Sequence, residues 1–317
     1  MIHHSNDKND IPLVSVVVVT YNSEHTVIET LESIKNQTYQ NIELVISDDC
    51  SKDNTSVLCR DWLRENGIYF HGARYLDASC NTGVAGNCNR GFRAAKGSWI
   101  KGIAGDDVLE SNCIEELIHF QVNNPEANII VSDYNSYKDF FLPQYLIDDN
   151  SILKKYETIA DKTARRIFNQ LCVAGCNFIP ACTLFISSAF FNRIGGFDED
   201  IPACEDYPFF LKATSQGEKP YRCNKKLVKY RISNQSISHH STSCIIRPTT
   251  VNQRRIIYNK YIKTKASKLA SILFYARYKM LLWFSNSKLN NNSKLNNLLF
   301  RIFLSPFRMI ETISFII

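Results

Sequence analysis

The sequence predicts an α/β protein built on a doubly wound, mostly parallel sheet, and two observations support this prediction. Short apolar runs rich in β-branched residues alternate with stretches in which apolar residues recur every three or four positions. Buried parallel strands read as continuous apolar runs, whereas helices that cover a sheet show the second pattern. Strand, loop and helix in repetition are typical of βαβ units. With 44% hydrophobic and 21% charged residues, the composition excludes a largely disordered chain.

The first βαβ unit follows a polar leader, residues 1–12. Residues 13–20 (LVSVVVVT) predict a buried strand, and the helix after it has apolar residues at helical spacing, with Ser23 as its candidate cap. Residues 42–46 predict the second strand. The helix that follows is expected to end at Gly67, because glycine is common just past the end of a helix.

The same patterns extend the predicted sheet along the chain. The further predicted strands are residues 74–76, 99–104, 128–132, 183–186 and 226–231. Helices are expected between most of them, and one begins in the glycine- and asparagine-rich residues 81–91. That helix start includes Asn81 and Gly83, and its backbone N–H groups are candidates to face a phosphate. It does not contain the GxGxxG fingerprint of dinucleotide-binding proteins.

Polar residues follow three of the predicted strands. They are Thr20, Tyr21 and Asn22, then Asp48 and Asp49, then Asp106 and Asp107. Ligands of such sheets bind at the carboxyl ends of the strands, so these residues predict a binding site. The alternative for each cluster alone is a turn that caps the next helix, since Asp is favoured in caps and turns.

The adjacent carboxylates of Asp106 and Asp107 suggest a metal site. Two neighbouring buried carboxylates raise each other's pKa unless a cation neutralises them. Mg²⁺ and Mn²⁺ prefer carboxylate oxygens and often complete their shell with substrate phosphate. A metal-bound nucleotide is therefore the first hypothesis, and a capping turn is the alternative.

Several motifs in series resemble the inverting family 2 glycosyltransferases, which have the GT-A fold. They are residues 12–22, 33–39, 43–53, 81–86 and 105–107, and the match resumes near Gly175. The resemblance implies that Tyr21 stacks on the nucleotide base and that Asp49 accepts a hydrogen bond from the uracil imide. Thr20, Asn22, Asn81 and Gly83 are the other candidate donor-binding residues.

The family's Asp-x-Asp metal motif falls on Ala104, Gly105 and Asp106, so its first Asp is absent here. By resemblance, Asp106 contacts the ribose and contributes to the metal, and Asp107 binds Mn²⁺ or Mg²⁺. The division of these roles between the two carboxylates stays open. Because this Asp is missing, a second hypothesis is kept: the protein is a catalytically degenerate member of the family that acts as a scaffold in a polysaccharide-assembly complex.

The second half carries a GGFD segment at residues 195–198 and then Glu205 and Asp206 before an apolar helix. This order resembles the acceptor half of the same family and implies that Asp206 is the general base. Glu205 is the competing neighbour, and a simple charged helix start is the alternative. His239 and His240 lie in a polar loop that follows the last predicted strand, and a contact with the diphosphate is suggested for them.

The cysteines and the leader predict a cytoplasmic protein. The eleven cysteines are scattered through apolar patterns, and the leader lacks the apolar stretch of a signal peptide, so reduced thiols are expected. Cys172 and Cys176 are spaced to share a helix face, but no second pair follows at zinc-ligand spacing.

The last part of the chain is strongly basic. From residue 254 onward, twelve lysines and arginines accompany a single acid, Glu311. Its amphipathic, aromatic-containing stretches predict helices that lie on the inner face of the plasma membrane, and packing on the body or on a partner is the alternative. Nucleic acid is not an expected partner, because no recognition motif accompanies the charge.

The predicted organisation is a leader (1–12), a nucleotide-sugar half (13–133), an acceptor and catalytic half (134–253) and the basic tail (254–317). The expected partners are a UDP-sugar donor and a lipid-linked acceptor, as implied by the resemblance to enzymes of O-antigen and capsule assembly. The identity of the sugar and the acceptor depends on residues 134–180, whose arrangement the patterns do not predict. The oligomeric state is also left open.

Overall fold

A single mixed sheet runs through the computed structural model, which describes residues 11–147, 151–158, 160–233 and 243–316. The strands are β1 Val14–Thr20, β2 Ile42–Asp48, β3 Gly72–Asp77, β4 Trp99–Ala104, β5 Val108–Leu109, β6 Ile129–Lys138, β7 Leu146–Ile147, β8 Phe185–Ser187 and β9 Tyr221–Ile232. The helices are α1 Val27–Lys35, α2 Thr55–Asn66, α3 Gly83–Ala94, α4 Cys113–Asn123, α5 Ser151–Glu157, α6 Ala164–Ala174, α7 Ser188–Ile194, α8 Asp206–Ser215, α9 Pro248–Ile257, α10 Lys268–Ser285 and α11 Lys294–Ile316.

The order of the strands explains how the two halves share one edge. The sheet reads β3-β2-β1-β4-β8-β6-β9-β5, with β7 beside β6. The predicted parallel sheet is confirmed for β1 to β4, whereas β8 is antiparallel to both β4 and β6. Because β9 is parallel to β6, both strands run in the direction of β1 to β4. The carboxyl ends of strands from both halves therefore lie at the same edge.

The run of valines in β1 divides the core into two layers. Val14, Val16 and Val18 pack with α1, α2 and α4, whereas Val17 packs on the opposite face with α3 and α6. Alternate side chains of a strand point to opposite faces, so a continuous apolar strand needs cover on both. The predicted three-layer α/β architecture follows from this burial.

Two predicted details differ in the structure. Helix α1 begins at Val27 with Thr26 at its cap position, and Ser23 contributes only its carbonyl, which accepts hydrogen bonds from the backbone N–H groups of Thr26 and Val27. Ser23 is therefore not the cap. Cys172 lies within α6, but Gly175 ends that helix at a φ of 61°, so Cys176 lies beyond it and the two do not share a helix face.

The basic tail packs on the body along one face. Helices α10 and α11 contact α6, and Ala270 and Phe274 belong to the main core. The alternative that these helices pack on the body is thus confirmed for that face, while apolar side chains such as Leu269 and Ile302 remain exposed on another. Among the described residues, no helix has the length and apolar character needed to cross a bilayer.

Candidate active site

The turn that carries the two carboxylates packs directly on the loop after β1. The backbone N–H of Gly105 donates to the carbonyl of Val19 at 2.9 Å, and a Cβ at this position would lie 2.8 Å from the Thr20 side chain. Only glycine fits this approach without displacing Thr20. The loop after β1 and the turn after β4 therefore form one continuous surface.

Asp107 is held inside the protein. It is 1% exposed, and its Oδ1 accepts a hydrogen bond of 2.9 Å from the backbone N–H of Arg231. The Thr30 hydroxyl donates to the carbonyl of Asp107 at 2.7 Å. Burial, and then the neighbouring Asp106, raise the pKa of Asp107 well above its usual value, and the charge of the buried Lys101 acts in the opposite direction. These contacts are those of a carboxylate that supports the turn.

Asp106 is the more accessible member of the pair. Its carbonyl accepts a hydrogen bond of 2.8 Å from Nε of Arg231, and its side chain is only partly buried. Burial raises the pKa of Asp106, although the nearby Arg231 charge works against this shift. Asp107 has little contact with solvent, whereas Asp106 is partly exposed, and the division of metal binding between the two carboxylates stays a prediction.

Arg231 is a site residue that the sequence analysis missed. It lies near the end of β9, and its guanidinium pairs with Glu29 and lies 4.1 Å from the ring centre of Phe141. The same side chain supports the turn at Asp106. The sequence shows only an arginine near the end of the last predicted strand; its role depends on β9 running in the same direction as β4.

The loops after β1 and β2 are joined by hydrogen bonds. Asp48 accepts hydrogen bonds from the Thr20 hydroxyl at 2.7 Å and from the Ser51 backbone N–H at 2.9 Å. Asn22 adopts a φ of 52°, and its backbone N–H donates to the Ser51 hydroxyl at 2.8 Å. Thr20 and Asn22 therefore hold the loops in place. Tyr21 is 41% exposed on this edge, which leaves a ring face open to a ligand.

Asp49 has protein partners for both of its carboxylate oxygens. It is 2% exposed and accepts hydrogen bonds from the Thr82 backbone N–H at 3.0 Å, the Thr82 hydroxyl at 2.6 Å and the Gly83 N–H at 2.8 Å. Arg90 adds an ion pair at 3.1 Å. A carboxylate has about four lone-pair positions, and these are largely occupied. The predicted contact with a uracil imide stays a prediction, and it would have to share or replace one of these bonds.

The N–H groups at the start of α3 have partners within the protein. Those of Thr82 and Gly83 donate to Asp49, and Asn81 also accepts from Gly83 at 3.1 Å. The N–H of Ala85 donates to the Pro202 carbonyl at 3.2 Å. The phosphate-facing helix start stays a prediction, and a phosphate would have to share or replace these bonds.

Gly83 connects this helix start to the acceptor half. It has a φ of 80°, and a Cβ there would lie 2.7 Å from the carbonyl oxygen of Pro202. Other residues are strained at such a φ and would also clash here. Gly83 therefore lets the donor half pack closely on the loop that leads to Asp206.

Asp206 is the first residue of α8, and three donors contact its carboxylate, one of them the Cys204 thiol at 3.5 Å from Oδ1. Oδ2 accepts a hydrogen bond of 2.7 Å from the Asn177 amide, and Oδ1 accepts one of 2.6 Å from the Tyr207 backbone N–H. The Asn177 amide also donates to the Ile179 carbonyl, which fixes its orientation. Asn177 is a second residue whose role the sequence analysis missed, because this contact joins positions 29 residues apart.

Glu205 differs from its neighbour in its environment. Burial, and then the charge of Asp206, raise the pKa of Glu205 to about 7. A pKa near the working pH is what a general base requires, so this shift does not exclude Glu205. The choice of Asp206 over Glu205 as the base stays a prediction.

The thiols of Cys182 and Cys88 have raised pKa values, and carboxylates of the candidate site are among the causes. Burial, then Asp107 and, more weakly, Asp206 raise the pKa of the Cys182 thiol. The Cys88 thiol is affected in the same direction by burial and then by Glu205, Asp49 and Asp206. Each thiol is thus within electrostatic range of both halves of the candidate site. His239 and His240 lie outside the described residues.

The carboxylates fit a divalent cation that obtains further ligands from its substrate. Within the described ranges, no three His, Cys, Asp or Glu side chains are grouped so that they could hold a metal by themselves. Mg²⁺ and Mn²⁺ at nucleotide sites use one or two carboxylates together with phosphate oxygens and water. Asp106, with Asp107 behind it, is a donor set of this kind.

Known proteins with similar sequences are glycosyltransferases. The glycosyltransferase GlyG of Streptococcus pneumoniae is 35% identical over 127 residues, which is 40% of each chain. Two Escherichia coli enzymes, WfaP and WfgD, are named UDP-Glc:alpha-D-GlcNAc-diphosphoundecaprenol beta-1,3-glucosyltransferases. WfaP is 27% identical and the alignment covers 83% of this chain and 92% of WfaP. For WfgD these values are 29%, 71% and 79%.

Solved structures agree with the fold. S. aureus TarS in complex with UDP-GlcNAc superposes with a TM-score of 0.61 at 18% identity, covering 93% of this chain and 80% of that one. The Pyrobaculum calidifontis mannosyltransferase PcManGT, in complex with GDP-Man and Mn²⁺, superposes with a TM-score of 0.59 at 18% identity. The superposition covers 96% of this chain and 84% of that one. The predicted GT-A architecture is confirmed by these likenesses. The profile of Glycosyl transferase family 2 matches residues 15–190, more than half of the chain, and the protein therefore belongs to glycosyl transferase family 2.

Proposed function

We propose that this glycosyltransferase moves a hexose or N-acetylhexosamine from a UDP-sugar, with inversion, to a hydroxyl of a saccharide carried on a polyprenyl diphosphate. The names of WfaP and WfgD support this donor and acceptor class. The TarS complex with UDP-GlcNAc supports a UDP-sugar on the same fold. The product would enter cell-surface polysaccharide synthesis, such as O-antigen or capsule.

The observation that carries the proposal is the orientation of Asp206 by Asn177 and by the start of α8. Inverting transfer is one in-line displacement at the anomeric carbon. As the acceptor oxygen forms its bond to that carbon, the bond to the nucleotide diphosphate breaks and the hydroxyl proton passes to Asp206. The Asn177 amide, the Cys204 thiol and the Tyr207 N–H donate to the carboxylate and orient it for the acceptor.

On the donor side, Tyr21 would stack on the base, Asp106 would contact the ribose, and Asp106 with Asp107 would hold the metal. Mn²⁺ or Mg²⁺, when bound, neutralises charge on the departing diphosphate. Arg231 holds the turn in place, because its backbone N–H donates to Asp107 and its Nε donates to the carbonyl of Asp106. Thr20, Asn22, Asn81, Gly83 and Asp49 shape the loops around the nucleotide.

The protein acts at the cytoplasmic face of the plasma membrane in this proposal. A diphosphate-linked acceptor is anchored in the bilayer, so the enzyme must reach the membrane surface. The exposed apolar residues and unbalanced positive charge of the tail suit an anionic leaflet.

The test is UDP release across a panel of UDP-sugars, with a lipid-diphosphate saccharide as acceptor and Mn²⁺ present. We expect Asp206→Asn to keep UDP binding and to lose about 10²-fold or more in turnover, because the general base is removed. Asp200→Asn, at an exposed carboxylate in the same region, is the matched control and should retain turnover.

Retained turnover in Asp206→Asn would reassign the base. The scaffold hypothesis, which rests on Ala104 in place of an Asp, predicts a different result. It requires the wild-type protein to bind no nucleotide diphosphate and to release none from any donor.

A further inference from the structure

A cavity of about 330 Å³ lies in the tail, away from the carboxylates described above. It is formed where the π-helical turn Tyr258–Ile262 meets α10. Its lining residues are Arg255, Tyr258, Asn259, Lys263, Tyr275, Tyr278 and Lys279. This lining combines three cations with three phenol groups and contains no acid.

The three cations lack acidic partners within the described chain. Arg255, Lys263 and Lys279 form no ion pair there, and Arg255 contacts only the amide oxygen of Asn252. The single acid of the tail, Glu311, is already paired with Lys155. The positive charge of the cavity is therefore not neutralised by neighbouring side chains, which favours an anionic ligand.

Three tyrosines make the wall of the cavity. The ring centres of Tyr258 and Tyr275 are 5.0 Å apart, and those of Tyr275 and Tyr278 are 6.0 Å apart. Nζ of Lys279 lies 5.4 Å from the Tyr275 ring centre. Rings packed in this way lose little freedom on binding, and phenol, ammonium and guanidinium groups all donate hydrogen bonds to phosphate oxygens.

The surface beside the cavity is apolar. Leu269, Ile272 and Trp283 are more than half exposed, and with Lys279 they recur at spacings of three, seven and four residues along α10. Such spacing places them on one stripe of the helix. A basic cavity next to an exposed apolar stripe is the pattern expected for a membrane surface, where headgroup and acyl chains lie side by side.

We propose that this cavity binds the phosphate group of an anionic membrane lipid while the apolar stripe enters the interface. The proposal rests on the membrane location proposed above, but it does not depend on the transfer chemistry. In this proposal, Lys263 and Lys279 recognise the anionic leaflet specifically, and the total positive charge of the tail is not sufficient.

The experiment measures binding of the full chain to vesicles of phosphatidylglycerol and phosphatidylcholine, and to vesicles of phosphatidylcholine alone. The test variant combines Lys263→Gln with Lys279→Gln. The control variant combines Lys288→Gln with Lys294→Gln, two exposed tail lysines outside the cavity, and removes the same charge. We expect the test variant to lose about tenfold or more in affinity for phosphatidylglycerol vesicles, and the control to lose clearly less.

Equal losses in the two variants would show that only net charge matters and would overturn the proposal. Soluble glycerol phosphate and inorganic phosphate, followed by chemical-shift changes of the cavity, form a second arm. Binding of inorganic phosphate with unchanged vesicle affinity in the test variant would assign the cavity to a free anion and also overturn it. UDP release in detergent is measured in parallel, and a wild-type chain that binds vesicles but transfers no sugar would refute the transfer function alone.

Discussion

Polar side chains in the donor half and in the tail differ in whether they have partners within the described part of the protein. In the donor half, groups predicted to face a ligand are already engaged: Asp49 binds the start of α3, and Asp107 binds the backbone of Arg231. In the tail, Lys263 and Lys279 have no acidic partner among the described residues, and Leu269 is exposed. The first region is stabilised by its own polar contacts, whereas the second is open to a partner.

This contrast separates residues that shape a site from residues that touch a ligand. Buried carboxylates with several donors hold loops in one geometry, which lowers the reorganisation needed when a donor sugar binds. The residues proposed to face the ligand, Tyr21, Asp106 and Asp206, are less buried than Asp49 and Asp107. The contrast can be tested by substitutions that should affect stability strongly in the first region and hardly at all in the second.

The largest loss of stability is expected for Asp49→Ala. It leaves Arg90 and the start of α3 without their acceptor, and breaking a buried pair of this kind costs about 3 kcal/mol. Chemical denaturation measures the free energy of unfolding. Asp61→Ala, at an exposed pair with Arg64, is the control and should change it by less than about 0.5 kcal/mol. If Asp49→Ala leaves the free energy of unfolding unchanged, these contacts do not stabilise the fold, and the Asp49 carboxylate is available to bind the uracil ring.

The second prediction distinguishes the roles of the adjacent Asp106 and Asp107. Asp107→Ala leaves the N–H of Arg231 without its acceptor and is expected to cost about 1–3 kcal/mol of unfolding free energy. Asp106→Ala should cost less, but it should abolish the part of UDP binding that depends on Mn²⁺. Calorimetric titration of UDP with and without Mn²⁺ measures that part. If Asp107→Ala abolishes the Mn²⁺-dependent part of UDP binding and Asp106→Ala does not, the metal ligand is Asp107.

Glu205→Gln is expected to change the pH dependence of stability. The folded-state pKa of Glu205 is about 7 against an ordinary value of 4.5, so the folded state binds more protons between these values and the wild type loses stability as the pH rises through this range. Gln does not titrate. The variant should therefore gain roughly 2 kcal/mol relative to the wild type between pH 5 and pH 8. Parallel unfolding curves at several pH values measure this, and equal pH profiles would contradict the raised pKa.

The smallest effect on stability is expected in the tail. Leu269→Ser with Ile272→Ser changes exposed side chains, so each should alter the unfolding free energy by less than about 0.5 kcal/mol. The same pair should lower partitioning to anionic vesicles about tenfold, because it removes apolar area from the interface. Ile68→Ser, an exposed apolar residue outside the tail, is the matched control. Deleting the tail is a poorer test, since Phe274 belongs to the core.

The sequence determined the elements of this protein and the residues at the strand ends. Apolar runs predicted β1, β2 and β4 within one or two residues of their observed bounds, because strands buried on both faces must be continuously apolar. The family motifs of the first half, such as the one that contains Tyr21, identified a glycosyltransferase, as the family match over residues 15–190 confirms.

Only the tertiary structure decided which polar groups are buried with protein partners and which are closer to solvent. Arg231 and Asp107 are 124 residues apart, and the start of α3 meets the loop at Pro202 more than a hundred residues later. No local pattern records such contacts, since they depend on strand direction and on the packing of one half against the other. The burial that turns Asp107 and Asp49 into supports, and leaves Asp106 closer to solvent, is a property of the folded chain as a whole.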